Sequence, residues 1–485
     1  MIMSQSQTPL YSALVEMTKQ PHYSMHVPGH KNGTVFPKTG KQLFKDILSI
    51  DMTEITGLDD LHQPEGIIEK AQQLATEWFR TRASYFLVGG STSGNLAMIL
   101  ATQKKGKPFL VQRNSHKSII HALELSGSKP IFLSPHYEEK YERFTGVHKE
   151  DIKKALKMYS SISGIILTYP DYYGRTTHLK EIIDLAHSYN VPVLVDEAHG
   201  VHFSLNDPLL PKSALSLGAD VVVQSAHKMA PAMTMGAYLH LNSERIDPRQ
   251  ITHYLQVFQS SSPSYPILAS LDLARYFMAN YSKEDLQTSI EWITKLRSSL
   301  TNGLVWTLVP LEEGVDDPFK LTLRIEDHVD SQIVASYLEK EGLYPELVDN
   351  QHILFTLALT PNYSIYQLKC IFEKVESKLK TKSEFNRATI EGVSSPVFNT
   401  VQSNPYSYYE LDSMNQEFVY WQESIGRVAS ASVTPYPPGI PLIMKGERIQ
   451  REHVDRIVDL LRKDKHIQTK EPFYQKGMHV YIERG

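Results

Sequence analysis

Lys228 stands in Ser225-Ala226-His227-Lys228, just after the apolar run Val221-Val222-Val223 and one intervening Gln224, and Asp196 closes another apolar run 32 positions earlier. A lysine on a loop after one strand and an acid at the end of a preceding strand are the two groups that pyridoxal phosphate chemistry needs. The lysine forms the Schiff base, and the acid keeps the pyridine nitrogen protonated so that the ring can accept electrons. Burial lowers a lysine pKa because desolvation disfavours the charged form, and an uncharged amine is a nucleophile toward a carbonyl. Asp196 ends a strand where an unpaired carboxylate is costly, and a protonated ring nitrogen would satisfy it. The plainer readings are an exposed cation for Lys228 and a structural salt bridge for Asp196.

Further groups fall at the ends of other apolar runs. Gly89-Gly90-Ser91-Thr92-Ser93-Gly94-Asn95 opens a helical pattern, so backbone N–H groups and the hydroxyls of Ser91 and Thr92 could cradle a phosphate. An ordinary helix cap is the alternative, since Ser and Thr are usual there. His116, in Arg113-Asn114-Ser115-His116-Lys117-Ser118, could stack on the pyridine ring and steer protons. Thr168-Tyr169-Pro170-Asp171-Tyr172-Tyr173-Gly174 is either a wall of the cofactor pocket or a cover for the sheet edge. His199 and His202 follow Asp196 too closely for a metal site, and none is expected. Asp196-Glu197-Ala198-His199 also spells a helicase motif, but no GK[ST] phosphate loop accompanies it.

These groups need a scaffold. From about Phe86 to Leu241 apolar runs alternate with amphipathic helical patterns, and most runs are continuous, as in a mostly parallel sheet buried on both faces. In such sheets ligands bind beyond the carboxyl ends of the strands. The divisions expected are an N-terminal arm (1–35), a large cofactor-binding domain (36–285), a small α/β domain (286–380), a linker (381–406) and a C-terminal module (407–485). In the small domain, Phe319 to Ile325 alternates, a helix is expected over Asp330 to Glu341, and Ile353 to Leu359 is a second strand.

Composition narrows the function classes. The 485 residues carry 50 basic against 54 acidic side chains, a formal charge of −4 that favours neither nucleic acid nor an anionic membrane. One cysteine, Cys370, excludes an intramolecular disulfide framework and is expected to be a packed apolar side chain. No signal peptide or spanning segment is apparent, so a cytoplasmic location is expected.

Together the segments resemble the ornithine/lysine/arginine decarboxylases. The resemblance runs through His26-Val27-Pro28-Gly29-His30-Lys31, Asp51-Met52-Thr53-Glu54, Gly57-Leu58-Asp59-Asp60-Leu61, the Ser91 loop, the His116 segment, Asp196 to Gly200 and Ser225 to Lys228. It continues in Ser260 to Pro266 and Pro437-Pro438-Gly439-Ile440-Pro441. It implies an α/β fold of the aspartate-aminotransferase-like class (fold type I) and pyridoxal 5'-phosphate as cofactor. Lys228 would carry the cofactor, Asp196 would pair with its ring nitrogen, and His116 would stack on the ring. Ser91, Thr92, Ser225 and His227 would bind the phosphate, and His199, a tryptophan in the large family members, would lie against the cofactor. The resemblance also implies active sites shared between subunits, with Ser260 to Tyr265 reaching the neighbour's cofactor. Large members carry an N-terminal wing, whereas this chain begins at the core arm near Thr8-Pro9-Leu10-Tyr11. It is therefore expected to resemble the shorter branch, as a dimer or a dimer of dimers. Lys445-Gly446-Glu447 stands where many relatives read Pro-Gly-Glu.

The expected activity is decarboxylation of arginine, lysine or ornithine to agmatine or a diamine, as in polyamine biosynthesis. Asp60, Glu65 and Glu447 are candidates to meet the substrate's distal cation. An aminotransferase of the same fold would use the same lysine and acid, adding an arginine for the α-carboxylate. A non-catalytic cofactor-binding regulatory protein is the third reading.

Overall fold

The structure is a computed structural model that describes residues 4–20, 23–300, 303–380, 400–435, 441–462 and 467–483. Each apolar run between Ala83 and Leu241 becomes a strand of one sheet. In chain order these are β1 (Ala83–Leu87), β2 (Phe109–Gln112) and β3 (Pro130–Leu133). A separate hairpin follows, β4 (Tyr137–Glu138) with β5 (Arg143–Phe144), and then β6 (Gly164–Thr168), β7 (Val193–Asp196), β8 (Val221–Gln224) and β9 (Ala237–Leu241). The sheet order is β1-β9-β8-β7-β6-β2-β3. β8, β7, β6, β2 and β3 are parallel, and β9 is antiparallel to both its neighbours. β1 therefore points the same way as the parallel set, and the carboxyl ends of β1, β2, β6, β7 and β8 share one edge.

The continuous apolar runs have a physical cause. Leu110, Ile165, Val195 and Val222 enter the core on one face of the sheet, while Val111, Ile166, Leu194 and Val223 enter the core on the other. Side chains alternate between faces with period two, so a strand covered by helices on both sides has no place for a polar residue. The helix Gly90–Thr102 lies so near the sheet that a Cβ on Gly94 would come within 2.7 Å of Leu87 and 2.9 Å of Val223.

A second, antiparallel sheet has the order β10-β11-β13-β12, from β10 (Trp306–Leu308), β11 (Lys320–Ile325), β12 (Leu347–Val348) and β13 (His352–Thr356). Leu321, Leu323 and Ile325 point into its own core with Ile353, Phe355 and residues of the flanking helices. The alternation expected here for a half-exposed strand is not what burial shows: Lys320 and Thr322, on the opposite face, are buried too. That face is turned toward the first sheet, where Lys320 meets His199.

Two expectations are corrected. Cys370 is exposed. The helix Ile365–Lys380 buries Phe372, Val375 and Leu379 along one stripe, and Cys370, two positions before Phe372, falls on the outer side. The expected linker is only partly visible, since 381–399 lies outside the described residues. Its remainder is not a plain connection: β14 (Val401–Ser403) pairs antiparallel with β3 and adds an eighth strand to the main sheet. β3 is buried throughout, and its outer edge needs partners for its backbone groups.

Beyond it, strands Gln416–Tyr420, Gly477–Tyr481 and Val428–Ala429 form a small sheet with its own apolar cluster. Tyr436 to Ile440, part of the Pro-Pro-Gly motif, lies outside the described residues. Among the described residues no helix is long and apolar enough to cross a membrane.

Candidate active site

The residues expected to hold the cofactor, Ser91, Thr92, His116, Asp196, His199, Ser225, His227 and Lys228, line one cavity of about 1000 Å³ along the shared carboxyl edge of the strands. β1 delivers the Gly89-Gly90 turn and Ser91. Ser91 Oγ lies 2.6 Å from Ser225 Oγ, which follows β8, so both hydroxyls stand at the N-terminus of the helix Gly90–Thr102. Thr92 is exposed to the cavity beside them. His227 Nδ1 lies 3.0 Å from the Gly236 carbonyl, an acceptor, so Nδ1 holds the ring proton there. Its Nε2 can then donate only in the imidazolium form.

Asp196 closes β7 and is 3 % exposed. Its partners are neutral amides: Asn95 Nδ2 donates to Oδ2 at 2.9 Å and the Ala198 N–H donates to Oδ1 at 3.2 Å. Asn95 also donates to Ser118 Oγ at 3.0 Å, and that hydroxyl lies 2.8 Å from His116 Nδ1. The Ser118 N–H donates to the same nitrogen at 3.2 Å, which fixes Nδ1 as the acceptor and puts the proton of a neutral His116 on Nε2. Burial holds the His116 pKa below its ordinary value, with Lys228 adding to the shift and Asp196 opposing it. Asn95 thus ties the acid to the imidazole. In the sequence it is the last residue of a loop that reads as a helix cap.

Lys228 lies in the short helix Ala226–Met229 after β8, and its Nζ is 2.9 Å from His199 Nε2 and 5.9 Å from the centre of the Tyr172 ring. Burial lowers its pKa, against the opposing pull of Asp196 and Glu346. Pro170, Asp171, Tyr172 and Tyr173 line the cavity, so the turn after β6 is a pocket wall. Glu197, next to Asp196, lies outside the cavity: it accepts from the Ala214 N–H and from Gln224 Nε2, and burial pushes its pKa up to about 8.

The acids expected to meet a distal cation do not stand free in this cavity. Asp60 and Glu65 are absent from its lining. Glu447 is buried in a two-pronged pair with Arg113, with Nη1–Oε1 at 2.8 Å and Nη2–Oε2 at 2.6 Å, and it also caps the Met444 N–H. This pair pins the C-terminal module to the loop after β2, where Arg113 also donates to the Pro441 and Leu442 carbonyls. The acids that do line the cavity include Glu142, Asp171 and Asp349. The residues Ser260 to Tyr265 do not line it.

The donor set suits pyridoxal phosphate. Two paired hydroxyls and a helix N-terminus face an anion site, a buried carboxylate held by neutral donors awaits a cation, and a partly desolvated lysine is available as an amine.

Comparison with known proteins identifies the family. Residues 8–324 match the family described as Orn/Lys/Arg decarboxylase, major domain, and residues 389–484 match its C-terminal domain. The uncharacterized protein YaaO of Bacillus subtilis (strain 168) is 44% identical, over 98% of this chain and 99% of that protein. The arginine decarboxylase of Bacillus anthracis is 31% identical, over 99% of this chain and 98% of that protein. The structure of E. coli constitutive lysine decarboxylase aligns with a TM-score of 0.81 at 18% identity, covering 98% of this chain and 82% of that one. The fold is thus the aspartate-aminotransferase-like α/β fold that the resemblance implied. On this match the chain belongs to the Orn/Lys/Arg decarboxylase family and is a pyridoxal phosphate-dependent amino acid decarboxylase.

Proposed function

We propose that this protein removes the α-carboxyl group of a basic amino acid, arginine, lysine or ornithine, and yields agmatine or a diamine for polyamine biosynthesis in the cytoplasm. The observation that carries the reading is the opening of Lys228 and Asp196 onto the same cavity as the Ser91–Ser225 hydroxyl pair. Bound at Lys228, pyridoxal phosphate would supply the electron sink for the bond that breaks as carbon dioxide leaves.

The chain's own residues do the rest. Asp196 would face the ring nitrogen, its direction set by Asn95 and the Ala198 N–H. His116, neutral and with its proton on Nε2, would lie over the ring. Ser91, Thr92 and Ser225 would hold the phosphate with the helix N-terminus, and His227 would join them. His199 would lie against the cofactor beside Lys228. Once the substrate amine has displaced it, Lys228 Nζ would be placed to return a proton to Cα.

Arginine is the first substrate to test, because the relative from Bacillus anthracis that matches end to end is named for it. A homodimer or a dimer of dimers, with the exposed Ser260, Ser261 and Ser262 reaching the partner's cavity, completes the reading, while Tyr265, expected to reach with them, is buried with its hydroxyl on the Asp59 backbone of its own subunit. It is supported by the exposed apolar residues Tyr23, Met25, Leu43, Phe44 and Ile47 in the N-terminal region. Incubation with each of the three amino acids tests the activity. Carbon dioxide with agmatine or a diamine is expected, whereas a keto acid with pyridoxamine phosphate would identify an aminotransferase instead.

A further inference from the structure

Lys320 is 1 % exposed and does not line the cavity. A lysine so deeply buried needs partners, because an isolated ammonium is costly away from water. Its Nζ lies 2.9 Å from Thr356 Oγ1 and 3.3 Å from His199 Nδ1, while the other ring nitrogen of His199, Nε2, lies 2.9 Å from Lys228 Nζ. One imidazole therefore bridges two lysines that are far apart in sequence, one at the start of β11 in the second sheet and the other in the helix that follows β8 of the first.

The turn at Gly174 makes the approach possible. Its φ is +87°, and a Cβ there would come within 2.7 Å of both Asp317 and Lys320. Only glycine lets the start of β11 settle against the wall of the cavity.

The bridge constrains where protons can sit. A neutral imidazole has one donor and one acceptor nitrogen. If Lys320 donates to Nδ1, the ring proton is on Nε2 and points at Lys228, which must then offer its lone pair as an uncharged amine. If Lys228 donates to Nε2, the ring proton is on Nδ1 and Lys320 must be the uncharged one. We propose that Lys320, His199 and Lys228 form a proton relay that rests on the assignment of the cofactor to Lys228, with Lys320 as a positioning residue that holds the proton whenever Lys228 must be a free amine. In the forward step an N–H bond of Lys320 breaks as Nδ1–H forms, and Nε2–H breaks as an N–H bond forms on Lys228. One positive charge moves from Lys320 to Lys228, and nothing is oxidised or reduced.

The surroundings agree. Burial lowers the pKa of His199, with Lys320, Lys228, His202 and His227 adding to the shift, so the ring stays neutral and able to relay. Burial also lowers Lys320, opposed by Asp317, Glu346 and Asp171 and reinforced by Lys228. The groups facing Lys228 are Asp196, Glu346, His199, His116 and the Tyr172 ring, with Lys320 beyond the imidazole.

The test uses cofactor-free enzyme, full length, and follows the rate at which the yellow chromophore appears with added pyridoxal phosphate across pH, which reads the uncharged fraction of Lys228. In Lys320→Met the shared proton has only Lys228 to occupy. The midpoint of the profile should rise by about one pH unit or more, making attachment about tenfold slower on the acid side. Lys320→Arg keeps a fixed cation that does not give up its proton. It should retain the wild-type attachment profile while turnover of the loaded enzyme drops at least tenfold. Should Lys320→Met not fold by circular dichroism, Lys320→Arg decides alone, because only a relay separates normal attachment from lost turnover. Unchanged profiles with unchanged turnover in both variants, or equal slowing at every pH, would overturn the relay while leaving the cofactor site standing. A wild-type protein that forms no chromophore at any pH would overturn the cofactor assignment and the relay with it.

Discussion

Asp196 is held by two neutral donors, and one of them, Asn95 Nδ2, also reaches the hydroxyl that orients His116. Removing that amide should leave the acid and the imidazole in place but free to turn. Hydrogen bonds to charged groups contribute about 1.5–3 kcal/mol, so Asn95→Ala should lower kcat by roughly tenfold to a hundredfold. Cofactor should still be attached at Lys228, and comparing kcat with chromophore content checks this. Lys228, Asp196 and Ser91 were legible because each follows an apolar run that could hardly be anything but a buried strand. Asn95 was not, since an Asn near a helix start reads as a cap. Lys320 was hidden for another reason: it precedes an apolar stretch like any strand-edge cation, and its partner His199 is 121 residues away.

Among the elements, the parallel sheet was readable because both its faces are covered and its strands lose the polar alternation that exposed strands keep. The apolar character of β7 ends at two acids with opposite fates. Asp196 opens to the cavity, while Glu197 turns into the protein, where burial pushes its pKa up to about 8, although the Ala214 N–H and Gln224 favour the ionised form. Between its ordinary value of 4.5 and about 8, the folded state keeps a proton that the unfolded chain has lost. Stability should therefore fall as pH rises through this window. Urea midpoints measured from about pH 5 to about 8 should decline in the wild type and lose most of that slope in Glu197→Gln. The elements that escaped the sequence reading are those decided by distant partners. β14 exists because β3 offers an open edge, and the buried polar face of β11 exists because the first sheet covers it. Cys370 was misread because its neighbours Phe372 and Val375, rather than its own chemistry, set which side of the helix is buried.

For the whole molecule, two sheets and a C-terminal module converge on one cavity. Arg113 and Glu447 lock the module to the loop after β2, and Gly174 lets the second sheet close against the first. The acid that would meet a substrate's distal cation was not legible, since Glu447, which looked available in sequence, is consumed by Arg113. All of the functional account depends on the covalent use of a single amine. Saturating the full-length protein with pyridoxal phosphate, reducing with borohydride and mapping the modified peptide measures it directly. The account predicts one pyridoxyl group, on Lys228, and its loss in Lys228→Ala. An adduct on a different lysine, or no yellow chromophore to reduce, would contradict it.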